Sequence, residues 1–91
     1  MANAEDLGLI CICAERYALG RQSYIPSVVQ GFIKANISDI DDNTIKTMIK
    51  DIQDAEKLGF GLGDDKIDKP GWLRFLALLQ SEIQRRKEQK Q

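Results

Sequence analysis

Residues 41–59 read DDNTIKTMIKDIQDAEKLG, and this stretch decides the fold class. Ile45, Met48, Ile49, Ile52, Ala55 and Leu58 recur at the three- and four-residue steps that place side chains on one face of an α-helix. Lys46, Lys50, Asp51, Asp54, Glu56 and Lys57 fill the opposite face as mixed-sign neighbours, the pattern of a solvated surface. Asp41 or Asp42 can cap the start by accepting a backbone N–H, and Gly59 is a natural stop. A helix with one apolar stripe must bury it against other elements, so the flanking sequence has to supply them.

Downstream, a glycine-rich link over residues 59–68 leads to Asp68, a second cap, with Pro70 in the first turn that follows. Trp72, Phe75, Leu76, Leu79 and Ile83 then form another helical stripe, and the charged end from Arg85 to Gln91 is expected to fray. Upstream, Pro26 opens a helix whose apolar face is Val28, Val29, Phe32 and Ile33, ending near Asn36. Gly31 weakens that helix and reads as a point of close packing against a neighbour. The first segment, Ala4 to Leu19 with Asn3 as cap and Gly20 as stop, carries Leu7, Ile10, Cys11, Ala14, Tyr17 and Ala18 at helical spacing. Leu9, Ile12 and Cys13 make it apolar nearly all round, so it is either central or shared with a partner chain; a short buried strand over residues 9–14 is the competing reading. The expectation is an all-α single domain, a compact bundle or orthogonal array of about four helices, that self-associates into a homo-oligomer.

Composition narrows the function. The chain has 91 residues, 43% of them hydrophobic and 30% charged, which suits one folded domain and leaves no room for a second. A formal net charge of −1 lacks the basic field that drives nonspecific nucleic-acid binding. The charge is unevenly spread: residues 38–68 carry nine acids against four lysines, and residues 69–91 carry six bases against two glutamates. The acidic start is not a signal peptide, and the apolar run from Leu7 to Ala14 is too short to span a bilayer, so a cytoplasmic protein with no membrane partner is expected. There is no histidine, and Cys11 and Cys13 at i, i+2 on a helix point apart, so neither a disulfide nor a zinc site is expected.

The candidate chemistry is sparse. Gly59, Gly61 and Gly63 lack the Lys-Ser or Lys-Thr of a phosphate loop and precede two carboxylates, so they read as a turn. Asp64, Asp65 and Asp68 lack EF-hand spacing, and no catalytic base stands beside either cysteine. The expectation is therefore no cofactor and no enzyme activity. The elbow after the first helix is the best binding candidate: Arg21 offers a planar fork for phosphate or carboxylate and Tyr24 a stacking face with a hydroxyl. Folding Asp64 and Trp72 against it would make a pocket for an anionic, aromatic small molecule. The ordinary reading is that Arg21 pairs with Asp51 or bonds the end of the first helix, Tyr24 staples the second, and Trp72 is core.

The residues Ala18-Leu19-Gly20-Arg21-Gln22-Ser23-Tyr24, then Asp51-Ile52, Leu62-Gly63-Asp64, Asp68 and Trp72, give the chain a resemblance to a group of short, mostly uncharacterised proteins encoded by phages and prophages of Gram-positive bacteria. The resemblance implies an accessory viral protein acting in the host cytoplasm, a setting in which many small proteins counter host defence. Three functions follow: an anti-CRISPR-like inhibitor that binds a host defence protein, a sponge that sequesters a nucleotide signal through Arg21 and Tyr24, or a structural or DNA-metabolism accessory protein.

Overall fold

A computed structural model describes residues 4–19, 25–58 and 69–89. Those residues form four α-helices: α1 (Ala4–Leu19), α2 (Ile25–Ala35), α3 (Asp42–Lys57) and α4 (Lys69–Gln89), with a single 3-10 turn (Ile37–Asp39) between α2 and α3. The all-α architecture expected from the sequence is the one observed, and the first segment is helix rather than strand.

The order of packing follows from where the stripes lie. α3 is the hinge of the array, in contact with α1 on one side and α4 on the other, while α2 packs on α1. Ile45, Met48 and Ile52 of α3 are wholly buried against Cys11 and Ala18 of α1, Ile33 of α2, and Trp72, Phe75, Leu76 and Leu79 of α4. Trp72 meets Phe75 edge-to-face, with centroids 5.9 Å apart and planes at 75°, a favourable aromatic geometry. The array measures 42 × 30 × 17 Å, about two helix layers at its thinnest.

Local chemistry fixes the ends. Asp41 caps α3 by accepting from Thr44 N at 3.1 Å and also takes a short hydrogen bond from the Thr44 hydroxyl. α1 crosses this cap at Gly8, where a Cβ would come within 2.5 Å of Thr44 Oγ1, so glycine is what lets the two helices approach. At the end of α2, the Asn36 side chain donates to Phe32 O at 2.9 Å and satisfies one of the helix's last carbonyls. The caps and stops expected at Asn3, Gly20, Gly59 and Asp68 lie outside the described residues.

Two expectations need revision. The α2 face splits: Ile33 is buried, whereas Val28 is 63% and Phe32 42% exposed, because α1 covers only one side of the helix. Gly31 is not a close-packing point, since a Cβ there would meet no atom within 4 Å. The charged end of α4 keeps helical geometry through Gln89, and Arg86 ties it back to the body of the protein. The Arg86 guanidinium donates to Glu82 at 2.7 Å, to Asp42 at 2.6 Å and to the Ile37 carbonyl at 2.8 Å.

Candidate binding surfaces

Of the four residues proposed for the elbow pocket, Arg21, Tyr24 and Asp64 lie outside the described residues. Trp72 is in the core with no exposed surface, so its ring has no open face on which a ligand could stack. Asp51, the partner suggested for Arg21, accepts from Arg16 Nε at 2.8 Å, an ion pair between α1 and α3.

Two other surfaces stand out. On α1, Ile10, Cys13 and Tyr17 form an exposed stripe at i, i+3, i+7 spacing, with Leu9 beside it. Leu9 is 63%, Ile10 50% and Tyr17 53% exposed, so apolar side chains that the composition would have buried face outward. On the adjoining α2, Val28 and Phe32 make a second outward row one helical turn apart. Among the described residues α1 packs on α2 and α3, and in so thin an array these two cannot cover its all-round apolar character.

The second surface is a cleft of about 430 Å³ between α2 and α4. Gln30, Gly31 and Lys34 line one wall, and Arg74, Phe75 and Leu78 the other. Each set runs at i, i+3 or i+4 spacing along its helix, so the walls are two facing helical rows. Phe75 and Leu78 give it an apolar base, and Lys34 and Arg74 give it two exposed cations.

One residue inside the core is unexpected. Glu15 has no exposed surface, and neither carboxyl oxygen receives a hydrogen bond. Burial, and then the neighbouring Asp51 carboxylate, push its pKa up to about 9, so the side chain is protonated and neutral at neutral pH. The Trp72 indole N–H is likewise buried without a hydrogen-bond partner. Sequence reasoning missed Glu15 although its spacing carries the signal: it stands four residues after Cys11 and three before Ala18, both core residues. The cleft had no local signal at all, because Lys34 and Arg74 are forty positions apart and meet only through the packing.

Among the described residues no cluster of His, Cys, Asp and Glu is arranged to hold a metal ion, and no helix is long and apolar enough to cross a membrane. Cys11 is buried and Cys13 exposed, both as free thiols. Comparison of the chain with protein-family models, with curated proteins and with solved structures finds no match in any of the three.

Proposed function

We propose that this chain is a small non-enzymatic binding protein, phage-encoded as its sequence resemblance implies, that counteracts a bacterial defence system by occupying a defence protein such as a CRISPR effector. The observation that supports a protein partner is the outward apolar stripe of α1, Ile10 and Tyr17 with Leu9 beside them, together with the exposed Val28 and Phe32 of α2, the helix that packs on α1. Large apolar side chains exposed in rows mark interaction surfaces, and aromatic side chains such as Tyr17 and Phe32 are the common anchors of such interfaces. In the absence of the partner, the same stripes would pair copies of the chain and give the homo-oligomer expected from the composition of α1.

The reading in which the chain sequesters a nucleotide signal through Arg21 and Tyr24 has less support, because Trp72 has no ring face to offer a base.

Expression of the chain in a host carrying an active CRISPR system, followed by phage plating, tests the proposal. The expected result is restored plaque formation by the wild type and none by an Ile10→Asp, Phe32→Asp double variant that keeps its helical circular dichroism. Equal protection by the double variant would remove the α1–α2 surface from the account. No protection by the wild type against any CRISPR type tested would remove the inhibitory role.

A further inference from the structure

The α2–α4 cleft has a chemistry that protein binding through α1 does not use. Its volume of about 430 Å³ falls within the range of small-molecule sites, which combine an apolar base with a few polar groups at the rim. Phe75 and Leu78 supply the base; Lys34 and Arg74 supply the charge, and no Asp or Glu stands among the described residues of the lining. The other arginines whose side chains are described, Arg16, Arg85 and Arg86, are each held by a carboxylate, whereas neither Lys34 nor Arg74 forms an ion pair with any described residue. Two uncompensated cations over an apolar base favour an anion, and the Arg74 guanidinium is a planar fork suited to two oxygens at once.

Gly31 gives an independent pointer. It sits inside α2, where glycine weakens a helix, and no neighbouring atom lies within 4 Å of the Cβ it lacks. Packing within the protein therefore does not require glycine there. Its effect is to keep the α2 wall of the cleft low, so that a ligand can approach the helix backbone.

We propose that the α2–α4 cleft binds an organic anion: a phosphate, sulfonate or carboxylate group held by Lys34 and Arg74, with an apolar body about the size of a nucleobase resting on Phe75 and Leu78 beside Gly31. The site is separate from the α1 stripe, and its occupancy does not depend on the protein-binding role.

The test is a titration of the full chain with 1-naphthyl phosphate, followed by amide chemical shifts, with inorganic phosphate and 1-naphthol as controls for the charge and the body alone. The expected result is saturable binding with shifts centred on Gly31, Lys34, Arg74 and Leu78, and at least ten-fold weaker binding of either control. Lys34→Glu with Arg74→Glu is expected to weaken 1-naphthyl phosphate at least ten-fold. Gly31→Leu, which improves helix propensity while filling the cleft, is expected to abolish binding with an unchanged or higher Tm, separating loss of the site from loss of the fold. Inorganic phosphate binding as tightly as the naphthyl ester would mean an adventitious ion site only and would overturn the proposal. Shifts centred on Ile10 and Tyr17, or full affinity in Gly31→Leu, would overturn it equally.

Discussion

Among the described residues two glutamates are buried, and they sit in opposite circumstances. Glu82, on α4, accepts from Arg85 Nη2 at 2.6 Å and from Arg86 Nε at 2.7 Å, and Arg86 goes on to Asp42 and the Ile37 carbonyl. These bonds, that from Arg85 first, hold its carboxyl below the usual range, so it is ionised at neutral pH. Glu15, on α1, forms no salt bridge; burial and then the neighbouring Asp51 carboxylate raise its pKa, and it keeps its proton. The α3–α4 side of the fold is thus built as stability alone would build it, with the apolar stripe inside and the charges outside or paired. The α1 side reverses that polarity: a carboxyl group is inside, while Leu9, Ile10 and Tyr17 are outside. Such reversals are expected where a surface is kept for a partner rather than for the fold.

The two glutamates give stability opposite pH dependences, and this is the largest effect with which to break the comparison. For Glu15 the folded pKa of about 9 lies above the ordinary 4.5, so between those values the native state holds more protons than the unfolded state. Its contribution is complete below the ordinary pKa and is lost as pH rises toward 9, with a limiting slope of about 1.4 kcal/mol per pH unit. Urea denaturation at pH 5, 7 and 9 should show wild-type stability falling over this range and Glu15→Gln remaining nearly flat, overtaking the wild type at the alkaline end. Glu82 contributes the other limb: its stabilisation is present above the ordinary glutamate pKa and lost as pH falls through its lowered value. Parallel curves for wild type and Glu15→Gln would mean that Glu15 titrates as an exposed acid.

Comparable in size to the Gly8 effect below is the Arg86 anchor. Arg86→Ala leaves Glu82 with Arg85 alone and unties α4 from Asp42 and the Ile37 carbonyl, so a loss of about 1–2 kcal/mol in urea denaturation is expected. No loss would mean that the α4 end is as loosely held as its charged sequence suggests.

The two glycines with described surroundings divide in the same way as the glutamates. Gly8→Ala forces a methyl into the Asp41–Thr44 cap and should cost about 1–3 kcal/mol, read as a fall in Tm. Gly31→Ala meets open space and should raise stability by about 0.5–1 kcal/mol, the smallest of these effects and favourable to the fold.

Much of the fold was legible in the sequence because α3 and α4 are regular: their apolar stripes, Ile45–Met48–Ile52 and Trp72–Phe75–Leu79, are the buried rows observed. The cap was legible to within one residue for the same reason, as Asp41 or Asp42 directly before an apolar rhythm, and Asp41 is the one that caps. α1 was not, since a helix apolar nearly all round has no periodic signal to say which side faces in; its buried row passes through Cys11, Glu15 and Ala18 and leaves Ile10 and Tyr17 out. A single glycine in a helix has the same ambiguity, and only the surroundings separate Gly8, which is required for close approach, from Gly31, which is not. Trp72 is a pocket candidate by chemical type and a core residue by its place in the α4 stripe, and position is the stronger guide: it is buried, while Arg21 and Tyr24 lie outside the described residues.

Amide hydrogen exchange of the chain with and without a purified CRISPR effector, the class of partner proposed above, tests most directly whether α1 and α2 form the recognition face. The account predicts added protection concentrated on α1 between Leu9 and Tyr17 and on α2 between Val28 and Phe32, with the solvated face of α3 around Lys46 and Lys50 unchanged. Protection confined to that α3 face, with α1 and α2 exchanging as in the protein alone, would contradict it.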